Sequence, residues 1–242
     1  MNSSSTSQAE ILFGNGRLEE AIAQLSTDLR NQPTNPQLRS FLFELLSFSG
    51  DYARAGKQLD AMAAAGPSAE AGVAVYRAAL EAERIREHMF ESGDFPRTAP
   101  LPSGAGTVDD QPFAEITDGD PRVGARLEVI AGGRYLWIPF AHLASIVIEP
   151  PTRLRDLRWL SARVATNDTV KDLELGEVLL PALTPSVWRN TDMELRLGRA
   201  TDWEEQSDGD YFPVGQKVLR IDDRIVPLVD LRVIVFTPQS ES

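Results

Sequence analysis

A pattern of seven residues occurs twice in this chain, 34 positions apart. Glu10, Leu12, Gly16, Ala21, Gln24, Leu25 and Pro33 recur as Glu44, Leu46, Gly50, Ala55, Gln58, Leu59 and Pro67. A unit of that length cannot bury its own apolar side, so each copy must be one supersecondary element stacked on the next. The glycine fits the turn between two helices, where positive φ or close approach favours it. The alanine lies where the helices cross, because a larger side chain would push them apart. The proline closes the second helix, since it cannot donate an i→i−4 bond.

A period of 34 with this order of Gly, Ala and Pro is the tetratricopeptide pattern. Such arrays bind other proteins and rarely do chemistry. Two helical hairpins are predicted over residues 8–66, after a short Ser/Thr tail. A third helix is predicted at 69–91, where Val75, Ala79, Ala82, Ile85 and Met89 form one apolar row. Val73, Tyr76 and Leu80 form a second row. Two rows imply burial on two sides, one against the second repeat and one against another partner. Glu10 and Glu44 occupy equivalent places on the first helix of each hairpin, the helix that lines the concave groove in such arrays. Phe13, Ser40 and Phe48 fall near them from helical spacing. An acidic groove with aromatic contacts suits a peptide or helix carrying Lys or Arg. Read residue by residue, the same positions are equally a solvated face with core phenylalanines.

Residues 93–112 contain four prolines and three glycines and read as a linker. Beyond it, short β-rich runs replace helices. Arg126 to Ile130 and Arg134 to Ile138 flank Ala-Gly-Gly, a hairpin signal. Strands are also expected at Ile146 to Ile148, Leu157 to Val164, Asp192 to Leu197, Val214 to Ile221 and Ile225 to Phe236. A short helix is expected near Phe140 to Ala144. The resulting expectation is an α+β protein. Tetratricopeptide-like helices at 8–92 pack on a β-rich domain at 113–238, built as an antiparallel sheet or small open barrel.

The net charge is −12, and both halves are acidic. Neither half offers the basic footprint that neutralises phosphates, so nucleic acid is not an expected partner. There is no cysteine, which removes disulfides, thiol catalysis and thiolate metal sites. No secretory leader and no apolar run near 20 residues is present, so the expected location is cytoplasmic, without membrane insertion. The two histidines, His88 and His142, do not form a metal or catalytic set. Asp118-Gly-Asp120, Asp208-Gly-Asp210 and Asp222-Asp223 read as turn chemistry rather than cation ligands. No phosphate-binding loop or nucleophile elbow occurs, so no cofactor, metal or catalytic residue is expected.

GGRYLWIPF (132–140), PPTRLRDLRWL (150–160) and RLGRATDW (196–203) resemble the ImpE/SciE (TagJ) family of bacterial type VI secretion accessory proteins. The resemblance covers residues 9–236. It implies a non-enzymatic adaptor that engages the small subunit of the contractile sheath and the AAA+ unfoldase that recycles it. A general tetratricopeptide co-chaperone and an enzyme with an unrecognised acidic site are the alternatives. Two constellations stand out: Arg155, Asp156 and Trp159, and Arg199, Asp202 and Trp203. Arg and Trp are the residues most often found at interface hot spots. The same sets could instead tie the β domain together or join it to the repeats.

Overall fold

The computed structural model describes residues 7–64, 66–96, 104–170, 175–205 and 209–238. The first six residues of the tail, part of the linker (97–103) and Asp208 lie outside the described residues. The repeats form two helical hairpins, α1 (Gln8–Gly14) with α2 (Leu18–Asn31), and α3 (Pro36–Phe48) with α4 (Tyr52–Ala63). Gly16 and Gly50 make the turns at φ +73° and +74°. Ala21 and Ala55 are fully buried where the helices cross. Asn35 and Asp51 cap α3 and α4 with their side chains. Pro67 has a different place from the one expected: it opens the third helix, α5 (Pro67–Ser92), where a missing N–H costs nothing.

Helix α5 packs on α4 with Val73, Ala79, Leu80 and Ala82 buried. The expected apolar row is only partly right, because Val75 and Ile85 are 49% and 48% exposed. The second buried face carries Glu83 and Arg86 instead. A count of apolar spacing passes over such charges.

The rest of the chain is β-rich. Its strands are β1 (Gly106–Val108), β2 (Gln111–Phe113), β3 (Ile116–Asp118), β4 (Arg126–Ala131), β5 (Arg134–Pro139), β6 (Leu143–Ile148), β7 (Trp159–Thr166) and β8 (Gly176–Pro181). After helix α6 (Met193–Arg196) come β9 (Thr201–Glu205), β10 (Tyr211–Gly215), β11 (Val218–Ile221), β12 (Arg224–Pro227) and β13 (Val233–Phe236). Among the described residues an eight-stranded antiparallel sheet runs β2-β1-β13-β6-β7-β8-β4-β5. It stays open, with β2 and β5 at its edges. A three-stranded sheet (β12-β11-β3) shares a second core with one of its faces. A separate ribbon pairs β9 with β10.

The β4–β5 hairpin turns through Gly132 and Gly133, both at positive φ, as a two-residue hairpin turn requires. Several strand expectations need correction. β1 and the first two residues of β2 fall within the stretch read as linker. Asp192 to Leu197 is not a strand: the Asp192 carboxylate accepts from Glu194 N–H at 2.8 Å and starts α6. Val214 to Ile221 divides at Gly215, whose φ is +112°. A Cβ there would lie 2.3 Å from the Ala200 carbonyl oxygen, so the chain turns and changes sheet. Ile225 to Phe236 is broken by a 3₁₀ turn at Leu228–Asp230. A 3₁₀ turn at Phe140–His142 leads directly into β6.

Candidate interaction surface at the junction of the two halves

One hydrophobic core joins the halves. Phe43 and Tyr76 of the helices meet Trp159, with the Phe43 and Trp159 rings stacked at 6.3 Å. Around this apolar contact lies a buried charge network. Arg86 sends its Nε to Glu128 at 2.6 Å and donates to the Leu183 carbonyl at 3.0 Å. Lys217 also meets Glu128, and its ammonium forms an ion pair with Asp118 Oδ2 at 2.5 Å. Glu83 accepts from the Trp159 indole at 2.9 Å and pairs with Arg158 at 3.4 Å. Three cations thus face three carboxylates, all buried.

The balance sets the protonation states. Burial alone would raise the Glu128 carboxyl, but Arg86 and Lys217 hold it well below the usual carboxylate range. Burial pushes Asp118 up to about 6, with Lys217 opposing and the neighbouring Glu128 adding to the rise. Burial would lower Arg86, yet Glu128 and Glu83 keep it firmly charged. Glu128 and Arg86 serve the junction, whereas Asp118 also borders an open cleft on the sheet side. A network of this kind is no source of net stability by itself, but breaking one of its pairs leaves a desolvated charge behind.

Helix α5 carries most of the contact, and the turn of the second repeat adds to it. A Cβ on Gly50 would sit 2.4 Å from the Trp188 ring, so only glycine lets that indole lie on the turn. The Trp188 indole donates to Glu87 at 2.8 Å. Tyr52 donates to Glu87 and accepts from Arg158, at 2.6 and 2.7 Å.

The residues singled out in the sequence are distributed over this frame. Glu10 is exposed and closes a capping box with Ser7 at the start of α1. Phe13 is half-buried against Phe41, and Ser40 is half-buried. Glu44 is buried and pairs with Arg155 at 2.9 Å, and burial raises its carboxyl against that guanidinium. The two repeat glutamates therefore have unlike surroundings. Phe48, expected on a groove face, is fully buried in the core.

Arg155 and Asp156 do not pair with each other. Arg155 binds Glu44 and the Tyr76 hydroxyl, whereas Asp156 accepts from the Thr152 and Arg153 backbone N–H groups. Arg199 pairs with Glu194 at 3.0 Å rather than with Asp202. Asp202 is exposed, and Trp203 is half-buried on the β9–β10 ribbon. Sequence reasoning missed Arg86, Glu128 and Lys217, because their partners lie 42 and 89 residues away in the chain. Glu128, a charge inside the apolar run LEVIA (127–131), was the one available signal.

The end of the concave face beside Glu44 is thus occupied by the chain's own Arg155. What stays open is a trough of about 550 Å³ between α5 and the sheet. Val75, Ala78, Ile130, Ala162 and Leu179 line it, with Arg163 and Glu177 on its rim. Tyr76, Glu149 and Ser161 continue it into a second, more polar hollow that reaches Arg153. Among the described residues no group of His, Cys, Asp and Glu could hold a metal, and no helix is long and apolar enough to cross a membrane.

Fold and junction together define a class: a tetratricopeptide-type helical half locked by buried ion pairs onto an open antiparallel sheet. The chain belongs to the ImpE protein family, whose profile matches residues 110–235. It is 34% identical over 264 aligned residues to the type VI secretion system accessory component TagJ of Pseudomonas aeruginosa strain PAO1, covering 95% of this chain and 91% of that protein. Its fold is similar to the crystal structure of protein VPA1032 from Vibrio parahaemolyticus, with a TM-score of 0.82 at 21% identity, over 96% of this chain and 98% of that one.

Proposed function

We propose that this protein is a non-enzymatic accessory component of a type VI secretion system. It acts in the cytoplasm as an adaptor for the small subunit of the contractile sheath and for the AAA+ unfoldase that recycles it. The accessory role is supported by the similarity to TagJ along nearly the whole chain. The adaptor reading rests on one observation: two halves joined by buried ion pairs leave an apolar trough open beside α5. Rigid scaffolds with a preformed apolar groove bind partner segments at low ordering cost.

Val75→Asp tests the reading. Val75 is 49% exposed, so the change should leave the fold intact. It should weaken binding of the purified sheath small subunit at least tenfold, measured by calorimetry. Wild-type affinity for the variant would move the site away from the trough. A wild-type protein that binds neither the sheath subunit nor the unfoldase would end the adaptor reading.

A further inference from the structure

The residues of the RLGRATDW segment are only partly used by the junction, since Trp203 lies away from it. Trp203 and Tyr211 share one face of the β9–β10 ribbon, because Trp203 pairs with Pro213 and Tyr211 with Glu205. Across a cleft of about 620 Å³ stands the outer face of the three-stranded sheet, where Thr117, Arg220 and Ile225 align in register. Tyr211 is 53% and Ile225 41% exposed, so the cleft presents apolar surface to solvent.

Both walls are held in place. Arg122 pairs with Asp120 at 2.6 Å and lies over the Phe212 ring at 4.0 Å, which fastens the ribbon to the loop beneath it. That loop is fixed by Asp118, whose side chain accepts from Asp120 N–H, and by Gly119 N–H donating to the Val218 carbonyl at 2.9 Å. The Thr184 hydroxyl accepts from Gly215 N–H at the ribbon's root.

The charge in the cleft is one-sided. Asp118 lines it, but Lys217 answers that carboxylate from behind. Arg220 is exposed on the floor and has no carboxylate partner among the described residues. Ile225 lies on β12, one of the two edge strands of its sheet, and an extended segment can follow that edge while its side chains reach Arg220 on the adjoining strand.

We propose that this cleft is a second docking site, distinct from the trough beside α5. Its occupant is an extended segment of a partner protein that places a bulky apolar side chain against Trp203 and Ile225 and an adjacent Asp or Glu on Arg220. Aromatic and arginine anchors in a preformed slot are the usual energetic centres of such contacts.

The test uses the full chain and two capped twelve-residue peptides, one carrying Leu-Asp-Leu-Glu in a Gly/Ser background and one with Lys replacing both acids. The ¹H–¹⁵N signal of the Trp203 indole, assigned with Trp203→Phe, is followed on titration. The acidic peptide should move that signal saturably and the lysine peptide should not. Arg220→Glu, on an exposed position, should reverse the preference, and Trp203→Ala should lower affinity at least tenfold. The proposal fails if neither peptide moves the Trp203 signal, if both bind alike, or if Arg220→Glu leaves the preference unchanged.

Discussion

Replacing Arg86 with Met tests whether the junction depends on charge balance. The guanidinium is 1% exposed and holds Glu128 through two contacts, at 2.6 and 3.1 Å. Methionine can fill much of the volume, so the main loss is electrostatic. Without Arg86, two cations remain to answer Glu83, Glu128 and Asp118. Removing one partner of a buried pair costs about 3–5 kcal/mol, because the other charge stays desolvated. For a protein of this size that is a fall in Tm of roughly 10 °C. Urea unfolding at pH 7, followed by tryptophan fluorescence and by helix circular dichroism, gives the free energy and checks that both halves unfold together. The decisive variant adds Glu128→Gln. The amide still accepts from Tyr135, and the cluster returns to two cations against two carboxylates. The double variant should recover at least half the loss. A single variant within about 1 kcal/mol of wild type, or a double variant whose losses simply add, would refute the reasoning.

Three further outcomes follow from the same geometry. The folded Asp118 carboxyl titrates at about 6, above its ordinary value, so its contribution to stability is full at low pH and is lost as pH rises through about 6. Asp118→Asn should flatten the fall in stability between about pH 4 and 6 seen in parallel urea titrations; an unchanged slope assigns it to another group. Gly16→Ala should cost about 1 kcal/mol, since only its positive φ is strained, whereas Gly50→Ala should cost about 1–3 kcal/mol more from the clash with Trp188. Equal Tm values for the two variants would count against the Trp188 contact. A protease site placed within 97–103 and cut should leave two fragments that co-elute on native gel filtration, and separation would mean the junction does not hold them.

The parts of the fold legible in the sequence are those where one residue type has one backbone use. Gly16 and Gly50 mark turns at positive φ, Gly132 and Gly133 mark a hairpin, and Ala21 and Ala55 mark helix crossings. Each such signal is local. The strand breaks at Gly215 and Leu228 were not legible, because they follow from which sheet each segment joins. The candidate surface was still less so. Glu44 and Glu10 are equivalent in the repeat, yet one is buried under Arg155 and the other caps a helix in solvent. Periodicity places a residue on a face of a helix, but only the distant chain that docks there determines what that face does. Arg86 and Glu83 illustrate the same limit, since a charged pair in a helix looks solvent-facing until its partners 42 and 76 residues away are known.

The strand order also bears on how the molecule is made. β13, at 233–236, lies between β1 and β6, deep inside the eight-stranded sheet. On the ribosome, the β1–β2 hairpin therefore emerges well before β13 and has no neighbour in the sheet until β13 has been synthesised. The helical repeats, with their short-range contacts, can form first, while the sheet waits with unpaired edges. A nascent chain stalled before Val233 is thus an open, adhesive intermediate. Quality control by chaperones would act there, and a truncation just before Val233 would split the sheet between β1 and β6 rather than trim its edge.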